Sequence, residues 1–442
     1  MPDAPPTDSE SLLELLRRLD VQKLSLLKSL TGPSTVPEIA AKALVRKIQN
    51  LCLARHHFLR RATSLLSRPL GLVVDPVNGC NLACPGCVHS RFSRDGKLFD
   101  WRPGRLPLDR FAQLLDRYGP YAFQAMFCNY GEPLVNPDTP RLVGMAKGYL
   151  MQTMFSTNLA VRGFDADAYV ESGLDQMVVS IDGATQGVYE LFRRRGDIEI
   201  AYRNLRLLIE AKRRAGKRTP VVCWHYLAFE HNEHEIPLAA ETARQLGVDV
   251  FRVVTPFDVS WDDPSIKPSR APPSVAEFNC DSEQDIAANW MVRCSESAAS
   301  AIDREFERAW EDQYAGEEQH HAPATCQWLY TNMALDANGR VFPCWGAARP
   351  DLDLTYAHLD DPDPFHAPKY NLARLSWAHR DAYRQRHAEL GGGAEPHCAN
   401  CDWPHDEVAI GPAQISHYLR AARERLASAA LSDPLIGWLT SW

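Results

Sequence analysis

The chain has 442 residues, 45% hydrophobic and 24% charged, with a net charge of −8 and a pI of about 6.0. That length exceeds one ordinary domain, the composition is that of a folded protein, and the acidic balance offers nucleic acid no overall attraction. No apolar run approaches a membrane span and the start, MPDAPPTDSE, does not read as a signal peptide, so a cytoplasmic protein is expected, with its 12 cysteines serving as metal or cluster ligands more than as disulfides.

Residues 1–69 read as a helical N-terminal extension. Leu12, Leu15, Leu16 and Leu19 recur at helical spacing until Gly32 and Pro33 break the pattern. A second amphipathic stretch sets Leu44, Ile48, Leu51, Phe58 and Leu65 against a basic side of Lys42, Arg46, Lys47, Arg55, Arg60, Arg61 and Arg68, and Pro69 ends it. The stretch 38–68 is read as a cap with its charges in solvent. Contact with a phosphorylated substrate or partner, and adhesion to an anionic membrane surface, are less favoured readings.

From Leu70 short apolar runs alternate with helical patterns. Strands are expected near 70–76, 122–127, 151–156, 175–181, 221–228 and 248–254, with helices between them, for example over 185–215 and 233–246. Each parallel strand pair needs a crossover, so six strand–helix repeats imply an α/β domain with a parallel sheet over 70–256. Residues 257–322 form a connector that begins Pro-rich, 323–405 are loop-rich with paired cysteines, and 406–442 form a tail with a helical pattern at 412–427.

Cys80, Cys84 and Cys87 follow the first strand in the segment DPVNGCNLACPGC, at C-x3-C-x2-C spacing. Three thiolates in a tight loop hold three corners of a cubane iron–sulfur cluster and leave the fourth iron open. Structural clusters take four cysteines, and a vacant position is where a substrate meets a metal. A zinc loop with a distant fourth ligand is the competing reading of the bare triplet. Tyr130, Gly131 and Glu132 lie in a turn, Asn129–Pro133, after the second strand. Taken alone, the segment is a turn signal. Ser156 and Asn158 end the third strand, and Ser180 and Asp182 the fourth, where polar groups suit a binding role; helix capping by Asp182 and Thr185 competes. On the fifth strand, alternation puts His225 on the face opposite Trp224 and Tyr226. His225, and Arg252 on the sixth strand, are candidates for proton exchange with a substrate. Cys326, Cys344, Cys398 and Cys401 make a second set, for which a four-cysteine zinc site competes with a cluster. Cys52, Cys128, Cys223, Cys280 and Cys294 show no paired spacing and read as buried thiols or surface residues.

In this order the segments resemble the radical S-adenosylmethionine (SAM) superfamily. The triplet is similar to its cluster loop, and Asn129–Pro133 to its G-G-E-P segment, which binds the SAM amino group. Ser156–Asn158 and Ser180–Asp182 are similar to segments that hold ribose and methionine. The run Tyr189–Gly196 resembles a Y-x-x-x-R-x-x-G region whose arginine reaches the SAM carboxylate, a fit for a guanidinium fork; Arg193 is favoured and Arg195 second. Two departures stand out: Gly86 where an aromatic residue often precedes the third cysteine, and Tyr130 in place of the first glycine. The second cysteine set, with Gly339 five residues before Cys344, resembles the twitch domain, a shortened SPASM extension.

The resemblance implies a partial (β/α)6 TIM-like barrel with an N-terminal helical extension and a small C-terminal iron–sulfur domain. It implies SAM and two [4Fe–4S] clusters as cofactors, the auxiliary one across the barrel mouth, and an electron donor such as flavodoxin or ferredoxin. The implied reaction is hydrogen abstraction by a 5′-deoxyadenosyl radical from a polar small molecule (a sugar, aminocyclitol or nucleotide), the auxiliary cluster accepting an electron in a net oxidation or rearrangement. Modification of a ribosomally made peptide is the second reading, and a non-catalytic iron–sulfur scaffold the third.

Overall fold

The computed structural model describes residues 46–47, 49–51, 53–54, 57–58, 61–89, 103–256, 263–273, 278–279, 326–344 and 355–378. Strands β1 (Gly71–Val74), β2 (Gln124–Met126), β3 (Gln152–Thr157), β4 (Gln176–Ser180), β5 (Val221–Leu227) and β6 (Val250–Val254) fall on the six apolar runs and pair in parallel in chain order. Such strands are apolar almost throughout because both faces are covered. Helices α1 (Leu108–Tyr118), α2 (Thr139–Gly148), α3 (Ala166–Glu171), α4 (Gln186–Phe192), α5 (Ile198–Ala215) and α6 (Ile236–Leu246) lie between the strands.

The pleat divides the side chains. Leu72, Val74, Phe155, Met177, Val179, Trp224, Tyr226 and Phe251 join the main core with α1 to α6. Met154, Val178, Cys223 and Val250 form a separate small cluster on the other face. His225 lies on this second face, opposite Trp224 and Tyr226, as the alternation requires.

The helical pattern expected over 185–215 is two helices. Helix α4 ends at Phe192, Arg195 takes a left-handed φ of 67°, and Asp197 caps α5 by accepting Glu199 N at 3.0 Å. The break lets Arg193 leave the helix axis and reach Asp182. Helix α5 ends at Gly216, whose φ of 61° is the left-handed stop glycine tolerates.

A seventh parallel strand extends the expected six. β8 (Asn332–Leu335) pairs with β1 in register Gly71↔Asn332 through Val74↔Leu335. Without it β1 is an edge with unpaired backbone groups. A Cβ at Gly71 would stand 2.2 Å from Asn332 Oδ1, so the buried Asn332 side chain would have to move. β9 (Arg340–Phe342) and β10 (Ala357–His358) continue the sheet antiparallel, and β7 (Phe278–Asn279), within the expected connector, closes the other side on β6. The result is one ten-stranded sheet, ordered β10-β9-β8-β1-β2-β3-β4-β5-β6-β7. The described part of 323–405 is therefore continuous with the main sheet. Short α7 (Trp328–Thr331) and α8 (Pro368–Ala378) accompany these strands.

The direction of β8 corrects one expectation. Cys326 precedes α7 and β8, and Cys344 lies two residues past β9, whose Phe342 pairs with Ala334. Both belong to the end of the sheet where β1 begins, whereas Cys80 follows the end where β1 finishes, so this pair does not lie across the mouth from the triplet. Cys398 and Cys401 lie outside the described residues, as do the patterns at 12–19 and 412–427.

The basic row of the N-terminal stretch is also corrected in part. Lys47 is buried, donating to Gly119 O at 3.0 Å and to Ala122 O, and Arg68 pairs with Asp363 at 2.7 Å. Carbonyls at the end of α1 draw the lysine inward because a buried acceptor needs a donor. Among the described residues no helix is long and apolar enough to cross a membrane.

Phe155 on β3 is fully buried against Tyr169, at a ring separation of 5.5 Å. Phe155→Ala is expected to lower unfolding free energy by about 3–5 kcal/mol, read as a reduced urea midpoint.

Candidate functional site

Cys80, Cys84 and Cys87 gather just beyond the carboxyl end of β1, packed with Leu82, Phe192, Phe229 and Ile266. Burial pushes all three thiols up, Cys87 to about 11, and proximity to one another pushes Cys80 and Cys87 further. Donors surround the sulfurs: Leu82 N lies 3.4 Å from Cys80 Sγ, Asn158 Nδ2 3.8 Å from it, and Arg193 Nη1 3.9 Å from Cys84 Sγ. Buried thiols that repel one another as anions need a cationic centre to ionise, so the donor set fits an iron–sulfur cluster. Among the described residues no group of three His, Cys, Asp or Glu closes round a single metal ion.

Carboxylates at the strand ends hold this loop in place. Asp75, one residue past β1 and buried, accepts Asn129 N at 2.7 Å, Tyr130 N at 3.1 Å and Gly131 N at 3.2 Å. Burial lifts it to about 7 against the pull of those donors. Gly131 presses so close to the cysteine loop that a Cβ would lie 1.8 Å from Val77 O. Glu132 N donates to Gly79 O at 2.8 Å, tying the two loops again. The Glu132 carboxylate accepts Thr157 Oγ1 at 2.6 Å, Asn158 N at 2.8 Å and Leu134 N at 3.1 Å. It is raised by burial and joins β2 to β3. The Tyr130 carbonyl faces His89 Nε2 at 2.8 Å. Asn158 also donates to Asn81 Oδ1 at 3.0 Å, beside Cys80.

At the end of β4, Asp182 is fully buried, with Leu227 N on one oxygen at 2.7 Å and Arg193 Nε on the other at 2.5 Å. Burial opposes the Arg193 charge, but Asp182 and Cys84 hold it above the ordinary arginine range. Breaking such a buried pair by removing one partner costs about 3–5 kcal/mol. The expected cap at α4 differs: Thr185 does not cap its own helix, and Glu235 instead accepts Ala184 N at 2.7 Å and Thr185 Oγ1 at 2.5 Å. Arg195 is exposed, outside this network.

On the second face of the sheet Ser156 Oγ lies 3.2 Å from Ser180 Oγ, and Ser180, His225 and Arg252 are cross-strand neighbours. Burial, then the Arg252 cation, pushes His225 down to about 4, and its Nε2 is buried with no hydrogen-bond partner among the described residues. The structure thus brings together Cys80, Cys84, Cys87, Tyr130, Gly131, Glu132, Asn158, Asp182 and Arg193, with Ser156, Ser180, His225 and Arg252 forming a polar tier on the second face of the sheet. Sequence reasoning missed Asp75, His89 and Glu235. Asp75 carried a signal, an acid at a strand end directly before the cysteine loop.

The family model described as the radical SAM superfamily matches residues 74–254. The chain is 31% identical over 163 residues to the mycofactocin maturase MftC of Mycobacterium ulcerans, spanning 36% of this chain and 42% of that protein. It is 30% identical to the pre-heme d1 synthase of Dinoroseobacter shibae, over 39% of this chain and 40% of that one. The matched region is thus less than half the length of either relative. The Streptococcus suis SuiB structure bound to precursor peptide SuiA superposes with a TM-score of 0.45 at 15% identity, covering 74% of this chain and 71% of that chain.

Two outcomes follow from the geometry. Gly131→Ala is expected to unseat the cysteine loop and reduce iron bound after anaerobic reconstitution at least twofold by iron analysis, whereas Gly187→Ala, with nothing within 4 Å, leaves it unchanged. The unfolded chain takes up the His225 proton near pH 6.5 and the folded one only near 4. Stability from a neutral His225 is therefore present above pH 6.5 and lost as pH falls toward 4. His225→Phe is expected to shrink the loss in urea stability between pH 7 and pH 4.5 by up to about 3 kcal/mol.

Proposed function

Residues 74–254 match the radical SAM superfamily model, and from that match we propose that the protein is a radical SAM enzyme acting on a polar substrate at the second face of its sheet. The observation that carries this reading is the cysteine triplet at the end of β1, fastened by Asp75 to the turn that contains Tyr130, Gly131 and Glu132. A [4Fe–4S] cluster with SAM, when bound, supplies a 5′-deoxyadenosyl radical able to take hydrogen from an unactivated carbon.

The chain's own residues bind and orient. Cys80, Cys84 and Cys87 hold the cluster, and the donors from Leu82, Asn158 and Arg193 to the sulfurs temper its charge. Arg193, fixed by Asp182, presents its guanidinium beside Cys84, where it supports the SAM carboxylate. Ser156 and Ser180 take ribose hydroxyls. Arg195, exposed, is the weaker candidate for any SAM contact.

On the substrate side, Arg252 fixes a polar or anionic group, and neutral His225 accepts or donates a hydrogen bond to it. A polar small molecule such as a sugar, aminocyclitol or nucleotide suits this tier. Modification of a ribosomally made peptide is the second reading, favoured by the likeness to a maturase. We also propose that Cys326 and Cys344 join Cys398 and Cys401 in a twitch-like auxiliary cluster that accepts an electron in a net oxidation.

Anaerobic protein reconstituted with iron and sulfide, given SAM and dithionite, is expected to release 5′-deoxyadenosine. Cys84→Ser is expected to lower that rate at least a hundredfold, and Arg193→Lys to raise the SAM KM about tenfold, near 1.4 kcal/mol of binding. No 5′-deoxyadenosine from fully loaded protein sinks the proposal in favour of an iron–sulfur scaffold.

A further inference from the structure

His89 lies two residues past Cys87 and ties two parts of the site together. Its backbone hydrogen-bonds the Cys87 sulfur, and its imidazole Nε2 lies 2.8 Å from Tyr130 O. A carbonyl only accepts, so Nε2 carries the ring proton and donates it there.

The peptide between Tyr130 and Gly131 is held from both sides. Its N–H, on Gly131, goes to Asp75 at 3.2 Å. In a trans peptide the C=O points opposite to the N–H, so Asp75 turns the Tyr130 carbonyl away from itself, and His89 meets it on the far side. The preceding peptide is turned the same way: Tyr130 N donates to Asp75 at 3.1 Å, which directs the Asn129 carbonyl away from that carboxylate. The Tyr130 side chain is a third anchor, packed with Val73, Ala334 and Phe342. A residue standing where the related segments carry glycine is thereby fixed by its N–H, its carbonyl and its ring.

Two carbonyls turned to one side beside a buried cysteine loop suit a cation with several N–H donors. An ammonium has three, and a carbonyl oxygen accepts twice, so the imidazole and an ammonium can share Tyr130 O. The imidazole sets the direction in which that oxygen is offered, and the contact of the same residue with Cys87 registers it against the cluster ligands. From this, and resting on the radical SAM reading above, we infer that His89 is a positioning residue for the α-ammonium end of SAM, acting through the Tyr130 carbonyl. It works by holding an acceptor in place before the ligand arrives, so that less ordering is left to be done on binding.

The test uses the full chain reconstituted anaerobically with iron and sulfide, SAM, and a SAM analogue that lacks the α-amino group. Iron is measured chemically and ligand affinity by equilibrium dialysis. His89→Phe removes the donor and keeps a ring, whereas His89→Gln returns an amide N–H near the Nε2 position. Iron content is expected to match wild type in both. SAM affinity is expected to fall about tenfold in His89→Phe, the size of one hydrogen bond to a charged group. In His89→Gln it is expected to return to within about threefold of wild type. The amino-free analogue is expected to bind wild type and His89→Phe alike, a pattern that general loosening of the cysteine loop does not produce. SAM affinity in His89→Phe equal to or above wild type overturns the inference. So does an equal loss for SAM and the analogue, or a His89→Gln as weak as His89→Phe. Should His89→Phe take up less iron, His89→Asn, whose amide stops at the Nδ1 position, is judged by the same comparison of the two ligands. Iron-loaded wild type that binds no SAM sinks the radical SAM reading and this inference with it; wild type and His89→Phe that bind SAM equally sink the inference alone.

Discussion

A carboxylate removed from water at a strand end must find donors, and that constraint organises this protein. Asp75, Glu132 and Asp182 are each buried beyond the end of a parallel strand or in the turn after it. Each meets its requirement with groups from a different segment: Asp75 with the backbone of residues 129–131, Glu132 with Thr157 and Asn158, Asp182 with Leu227 and Arg193. The ends of β1, β2 and β3 are tied to one another in this way and the end of β4 to that of β5, while Arg193 reaches on from Asp182 to Cys84. The loops over a parallel sheet are the part of an α/β fold with the fewest backbone constraints of their own. Here side-chain carboxylates supply the rigidity that a reactive site demands.

The electrostatics of the site run in two layers. Around the sulfurs, burial resists ionisation, and the nearby donors and Arg193 favour it. On the second face, a buried imidazole nitrogen with no hydrogen-bond partner among the described residues stands beside an arginine, an arrangement that costs stability. Stability comes instead from the helix-covered face, where Trp224, Tyr226 and Phe251 pack edge to face or tilted. The two faces of one strand, β5, thus divide the work between Trp224 and His225.

The strand β8 ties the later part of the chain to the same frame. By covering the free side of β1 it sets the direction of β9 and fixes the end of the sheet to which Cys326 and Cys344 belong. Asn78, two residues before Cys80, accepts Ala337 N at 2.9 Å just past β8. Cys326 and Cys344 are therefore connected to the cysteine triplet through β1, although they lie toward the opposite end of it.

The sequence by itself determined the residue types and their local spacing: the cysteine triplet, the six apolar runs, the alternation that separates His225 from Trp224, and the arginine run from which Arg193 is drawn. These are legible because thiol spacing and strand periodicity are properties of neighbours along the chain. Tertiary structure alone decided which groups meet across long separations. It gave Asp75 to the turn at Tyr130, the Tyr130 carbonyl to His89, the cap of α4 to Glu235, and Lys47 to the carbonyls after α1. It also added β8 to the side of β1, which no periodicity within 323–405 marked. Such partnerships depend on burial, and burial is a property of the packed whole: a polar atom's partner is set by what else has been removed from water beside it, and the linear order of residues does not record that.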